Sequence, residues 1–428
     1  MKSDVSLKRI KQFPRLLWII LFGAFITRGS FYMVWPFLSI ILYKRFGISA
    51  TEVGMILSFA ALISVFIGFI GGTLSDKVGR HQLMYTSGIL YVFAFSYLAQ
   101  ASTLPEYVIV ITLCSIAKAL WEPPTSALIG DIVPDAQTRE LAMQMRYFVV
   151  NAGAAIGPMA GVWFGLTGEQ SSFYITAGAF AGLLVVLHFA FKTHGKIELG
   201  KSHHDNHDES QSKIEKAADS SFKSTLNILK QDKLLQCLIV ANIICMFIYA
   251  QMDSSLIQYL TRAEVPDLVF LISSMIVANS LLIICCQFVL LKMMASMALE
   301  SRIQIGLLLL AASQVWFAVN PLNFFWGWIG AVLVMSIAEA ILFPTMNVHI
   351  DRLAPPHLRG AYFGAASFYS LGFAMAPLIG GFVLEHFGGF WLFMVAAMLC
   401  FVVIYLYRIL PTFKRPDFEQ MEENKLKA

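Results

Sequence analysis

The stretch Phe69–Leu83, FIGGTLSDKVGRHQL, ends one long apolar run with Asp76, Lys77, Arg80 and His81 and leads directly into another. Charge packed that tightly between two greasy segments reads as a short loop joining two membrane crossings, because ionisable groups are costly inside a bilayer. The rest of the chain agrees. Of 428 residues, 57% are hydrophobic and 14% charged, and the mean hydropathy is +0.68, far from the composition of an ordinary soluble domain. A spanning helix needs about 20 mostly apolar residues. The sequence predicts twelve such segments, at 16–43, 53–74, 82–101, 106–130, 140–167, 172–191, 234–260, 267–292, 303–319, 323–350, 358–386 and 389–410.

Charge sets the expected orientation. Of the 31 Lys and Arg, Lys44, Arg45 and Arg262 fall in one set of loops, Arg28, Lys118 and Arg146 fall inside segments, and the other 25 fall in the opposite loops and the termini. The positive-inside rule then places both termini in the cytoplasm. The first segment is too long for a signal-peptide core and stays as a helix. The net charge of +4 reflects this asymmetry and gives no reason to expect nucleic acid. Cys114, Cys237, Cys245, Cys285, Cys286 and Cys400 all lie in apolar runs without ligand spacing and read as core residues. No metal site is expected.

Residues 192–232 form the only long polar stretch and read as a cytoplasmic linker between an amino-terminal half, 1–191, and a carboxy-terminal half, 233–428. His203, His204 and His207 lie in it; a solvated linker is the reading, with metal binding the alternative. The halves resemble each other. PTSALIGDIVPDAQTREL from Pro124 aligns with PTMNVHIDRLAPPHLRGA from Pro344, and GAAIGPMAG from Gly153 aligns with GFAMAPLIG from Gly372.

Parallel six-helix halves are the architecture of the major facilitator superfamily. GGTLSDKVGRHQL resembles that superfamily's signature between its second and third helices, with Gly72, Leu74, Asp76, Gly79 and Arg80 in place. The resemblance, strongest to proton-coupled drug exporters, covers about 16–410. It implies an all-α membrane protein of twelve helices in two pseudo-symmetric bundles. It also implies a conformational latch of Gly72, Asp76, Gly79, Arg80, Asp131 and Arg139, with Arg80 paired to Asp131 at the end of the fourth helix, that links the halves on the cytoplasmic side, stabilises the outward-facing state and breaks when the protein opens inward.

Ionisable residues at bilayer depth are functional candidates. Glu339 lies in AEAILFP, which resembles the tenth helix of those exporters, where an acid serves proton coupling; a structural ion pair is the alternative. Glu122, before two prolines that should distort its helix, and Asp253 are further proton candidates. Arg28, Lys118 and Arg146, with Tyr32, Trp35, Trp121 and Tyr249, are expected to line the substrate cavity, joined by Phe31, Tyr147 and Phe148 as candidate aromatics. His188 and His349 read as interfacial. Gly153, Gly157, Pro158, Gly161, Gly372, Pro377 and Gly380 suit close helix packing, and the resemblance makes the fifth helix an antiport motif.

No phosphate-binding loop or catalytic constellation is present, so neither a nucleotide-driven pump nor an enzyme is expected. The reading is a monomeric secondary transporter with no cofactor, driven by a proton gradient, that exports a small organic molecule or drug. The alternatives are export of a specific anionic or zwitterionic metabolite such as a siderophore or peptide, proton-coupled uptake, and a transporter-like membrane sensor.

Overall fold

The computed structural model describes residues 10, 13–133, 135–163, 170–193, 231–294, 296–353, 362, 365–413 and 415. Most of the expected linker, with its three histidines, lies outside them. The described residues form helices and connecting turns, with no strand among them.

The helices are α1 Arg15–Val34, α2 Leu38–Phe46, α3 Ala50–Val78, α4 Arg80–Leu98, α5 Leu104–Ile132, α6 Ala136–Trp163 and α7 Phe173–Thr193 in the first half. The second half has α8 Lys233–Tyr249, α9 Ile257–Arg262, α10 Leu268–Met293, α11 Leu299–Val319, α12 Phe325–Leu353 and α13 Ser370–Ile409. Among the described residues, nine helical stretches are long and apolar enough to cross a membrane. Three local features separate this list from the sequence expectation. α4 and α6, which overlap the expected segments 82–101 and 140–167, carry too much polarity to join the nine. α13 runs through two expected segments, but Gly388, at φ 83°, breaks it into two helices.

Local chemistry explains the other breaks. Pro36 lacks an N–H, and a 3-10 turn at Trp35–Phe37 separates α1 from α2. Gly79 takes φ 99°, a conformation that favours glycine, and turns α3 into α4 in the middle of the opening stretch. A π turn at Met252–Leu256 interrupts α8 and α9 and puts an extra residue into the helix. The prolines after Glu122, expected to distort their helix, leave α5 continuous to Ile132.

Two cores hold the molecule. One gathers buried residues from Phe13 to Ala190. The other gathers those from Leu234 to Leu410, with Phe37, Ile40 and Ala50 joining from the first half. The repeated glycines do equivalent work in each. A Cβ on Gly153 would fall 2.6 Å from the carbonyl oxygen of Phe25 on α1, and one on its repeat Gly372 would fall 2.9 Å from the carbonyl carbon of Ile243 on α8. Each half thus packs one small-residue helix directly against the backbone of its first helix.

The bundle has a terminal end, where Arg415 reaches the Leu353 carbonyl at 2.6 Å, and a distal end, where Arg262 reaches the Ile48 carbonyl at 3.0 Å. Trp163, Phe324, Trp326, Phe387 and Trp391 are exposed near the distal end, as aromatic residues at a membrane interface are. Cys114, Cys245 and Cys400 are buried, but Cys285 is exposed on α10. An apolar residue in a membrane protein can face lipid as readily as core, so the expectation that all six cysteines are core residues is corrected.

Candidate functional site

Between the halves lies a cavity with two lobes that share Met246. The central lobe, about 360 Å³, is lined by Tyr32, Trp35 and Lys118 from the first half and by Asp253 and Pro377 from the second. The π turn carries Asp253, whose side chain is exposed to this lobe while Ser254 and Ser255 beside it are buried. The second lobe, about 400 Å³, is lined by Tyr147, Asn242, Glu339, Phe343 and Asn347, and it extends toward the terminal end as far as Ile350 and Tyr369. Both lobes are mostly apolar with a few converging polar groups, as small-molecule sites are.

Glu339 is only 8% exposed. Asn279 on α10 donates to its Oε2 at 2.8 Å and to the Ser336 hydroxyl at 2.9 Å, and the Tyr249 hydroxyl donates to the same carboxylate. Tyr249 is fixed in turn by an edge contact with Phe343, ring centroids 5.0 Å apart. No cation pairs with Glu339 among the described residues, which removes the structural ion pair considered from sequence. Asn279 and Ser336 were not foreseen, although an amide in the middle of an apolar segment is a usable signal.

Arg28, Trp121, Glu122 and Arg146 do not line the cavity between the halves, as had been expected of Arg28, Trp121 and Arg146. They line a smaller recess, about 50 Å³, inside the first half. Helical periodicity turns these side chains toward their own half, and only the packed bundle shows that. In the recess Glu122 forms an ion pair with Arg146. Arg28 lies over the Tyr32 ring, 4.9 Å from its centroid, and its buried Nε has no hydrogen-bond partner. Lys118 holds its ammonium 5.3 Å from the centroid of Phe31, a ring that lines both recess and cavity. Trp35 stacks on the same Phe31, centroids 4.8 Å apart.

Contacts at the distal end join the halves. The Thr51 N–H, unsatisfied by its own helix in the first turn of α3, donates to Glu385 at 2.9 Å. Leu378 N–H donates to Ser58 at 2.9 Å. Arg262 bonds the Ile48 carbonyl and sits 4.3 Å from the centroid of the Tyr43 ring. Between these bonds the backbones nearly touch: a Cβ on Gly54 would fall 2.8 Å from the Pro377 carbonyl carbon, and one on Gly381 would fall 3.0 Å from that of Ala50. The distal end is closed.

The latch residues divide. Arg80 pairs with Asp131, joining the start of α4 to the end of α5. This is the pairing the resemblance implies, but it lies within the first half and joins neighbouring helices of one bundle, so the expectation that it links the halves is corrected. Gly79 is the turn glycine described above. Arg139 sits in the first turn of α6, its N–H bonded to the Asp135 carbonyl at 2.8 Å. The side chain of Asp76 and the surroundings of Gly72 lie outside what is described. In the other half a clasp missed from sequence occupies the terminal end: buried Asp232 accepts from Leu235 N–H at 3.0 Å, Tyr362 at 2.6 Å and Arg415 at 3.2 Å. The buried Nδ1 of His349 has no hydrogen-bond partner, and His188 lies 6.2 Å from the Tyr85 ring. No metal-holding cluster occurs among the described residues.

Comparison with known proteins agrees with this architecture. The family model described as Major Facilitator Superfamily matches residues 20–370. An uncharacterized MFS-type transporter of Bacillus subtilis, YqjV, is 27% identical, covering 89% of each chain. A Na(+), Li(+), K(+)/H(+) antiporter of Planococcus maritimus is 25% identical, covering 94% of this chain and 98% of its own. Among solved structures, a peptide transporter POT in complex with sulfate superposes with a TM-score of 0.74 at 18% identity, covering 93% and 94% of the two chains. The nucleoside transporter NupG superposes with a TM-score of 0.73 at 12% identity, covering 94% and 100%. A helical membrane chain with a closed distal end, a charged cavity between two halves and a family match over most of its length is a secondary transporter and not an enzyme: it belongs to the Major Facilitator Superfamily.

Proposed function

We propose that this chain is a proton-coupled antiporter that exports a small organic molecule from the bacterial cytoplasm. In this reading it works as a monomer in the inner membrane, with twelve spans in two six-helix bundles, both termini in the cytoplasm, and the proton gradient as its energy source. The observation that carries the proposal is Glu339, a buried carboxylate facing the larger lobe with two neutral donors and no cation beside it. Such a group can be neutral with a proton and charged without one, and cargo can compete for it. A two-state element biased by both ligands is what obligatory exchange requires.

The terminal end is then the cytoplasmic end, and in this reading the structure is the inward-facing state, with the distal seal shut and the Glu339 lobe running toward the cytoplasm; the Arg80–Asp131 pair is formed in it, against the expectation that it breaks on inward opening. Cargo enters beside Glu339 and displaces its proton inward. The halves rock about the central lobe, the seal of Thr51, Ser58, Arg262, Leu378 and Glu385 separates, and cargo leaves while a proton returns to Glu339 from outside. The Planococcus relative, whose name states exchange against H+, supports the proton as coupling ion, and a partial match to the multidrug resistance protein MdtH of Aeromonas hydrophila supports export.

Everted membrane vesicles with an acidified lumen test the direction. Export by antiport makes added cargo raise the lumenal pH, and Glu339→Gln abolishes that rise while cargo-for-cargo exchange persists. A Glu339→Gln protein that still concentrates cargo with unchanged pH dependence would sink the assignment.

A further inference from the structure

Lys118 and Asp253 face the same central lobe from opposite halves. Each feels the other's charge, yet they form no ion pair, and neither has another ion-pair partner among the described residues. A cation and a carboxylate that served only to neutralise each other would gain most by closing to contact. Here a gap separates them. The Lys118 ammonium rests on the face of Phe31, a weaker partner than a carboxylate.

The surroundings sharpen the polarity of the lobe. Inside the first half, in the recess behind the lobe, Glu122 is paired with Arg146, whereas Arg28, beside Tyr32, adds a second positive charge close enough for Lys118 to feel it. The wall of the second half contributes Asp253, with Glu339 in the adjoining lobe near enough for the two acids to feel each other. A purely anionic cargo would meet Asp253, and a purely cationic one would meet Lys118 and Arg28. A cargo with both charges satisfies both walls at once, with a charge-assisted hydrogen bond at each end.

Resting on the transport reading above, we propose that the cargo is a small zwitterion, its carboxylate held by Lys118 in the field of Arg28 and its ammonium held by Asp253 across the central lobe. The cargo then ties the two halves together through one group on each, while Glu339, in the adjoining lobe, carries the proton that arriving cargo displaces. This assigns Lys118 and Asp253 as the specificity-determining pair and separates cargo recognition from coupling.

The test is binding to the purified full-length protein in detergent, followed by thermal unfolding at constant ionic strength. The probes are ω-amino acids of increasing length, glycine, β-alanine, 4-aminobutyrate and 6-aminohexanoate, with carboxylates and alkylammonium ions of matching length as single-charge controls. At least one amino acid is expected to bind about tenfold or more tighter than its controls. Lys118→Met and Asp253→Asn should each reduce it to the level of the controls, and Lys118→Arg should restore most of the difference. Removing a charge without an ion-pair partner does not threaten the fold. Equal binding of the alkylammonium ions, no binding by any amino acid at millimolar concentration, or unchanged affinity in Lys118→Met would each overturn the assignment. If wild-type vesicles move no protons yet amino acids still bind through Lys118, the coupling proposal fails and the cargo assignment stands.

Discussion

Substituting Gly54 by alanine should tilt the transporter toward its outward-facing state. Gly54 on α3 faces the backbone of α13, and a Cβ there would lie 2.8 Å from the carbonyl carbon of Pro377 and 2.9 Å from Cα of Leu378. Carbon atoms in contact prefer about 3.5–4.0 Å, so the two helices must separate by roughly 1 Å. The obstruction is main chain on both sides and cannot swing away as a side chain could. Overpacking of this kind costs about 1–3 kcal/mol, and here the cost falls only on the state in which the distal seal is closed. An energy of that size changes the ratio of inward- to outward-facing molecules by about 5- to 150-fold. The measurement is the distance distribution between spin labels on Lys44→Cys and Asn323→Cys, both exposed near the distal end of opposite halves, with Cys285 and Cys286 replaced by serine. Gly54→Ala should populate a longer distance, and Gly381→Ala on the same seam should act in the same direction. Gly178→Ala, where a Cβ meets nothing within 4 Å, should leave the distribution unchanged. A Gly54→Ala distribution that matches wild type would refute the view that backbone contact seals this end.

The same substitution inside one half should behave differently. Gly157→Ala forces α6 away from Gly29 on α1 and should lower overall stability by about 1–3 kcal/mol without shifting the label distances; an unaltered melting temperature would count against it. Asp232→Asn weakens the bonds from Tyr362, Arg415 and Leu235 N–H to a fully buried carboxylate. It should destabilise the second half by about 1–3 kcal/mol, read as an earlier unfolding transition, and an unchanged transition would show that the clasp carries no load. Glu339→Gln, as set out above, should abolish proton movement while preserving exchange.

The break within Phe69–Leu83, which the structure narrows to Gly79 between α3 and α4, was legible from sequence because its residues act locally. The charges mark a bilayer boundary, and Gly79 supplies a backbone angle that other residues take up with difficulty. The duplicated PTSALIGDIVPDAQTREL and PTMNVHIDRLAPPHLRGA, and the glycine helices that follow them, likewise pointed to two halves, since each copy solves the same packing problem against its own first helix. Glu339 stood out for a related reason: one acid in an apolar segment is conspicuous without any partner.

Partners are what the sequence withheld. Arg28, Arg146 and Trp121 looked like cavity residues, yet they turn into a recess within their own bundle, because the direction of a side chain depends on how its helix is rotated against its neighbours. The Arg80–Asp131 pair looked like a bridge between halves and proved internal to one. The seal that joins the halves uses the N–H of Thr51, the N–H of Leu378 and the carbonyl of Ile48, backbone groups that every residue but proline carries in full and that no motif can flag. Hydropathy, charge and turn residues are properties of single positions, so the sequence alone determined a helical, two-part membrane protein with an acid at its heart. Which groups face one another across the cavity, and which end is shut, depends on rigid bundles meeting in space, and only the tertiary structure decided it.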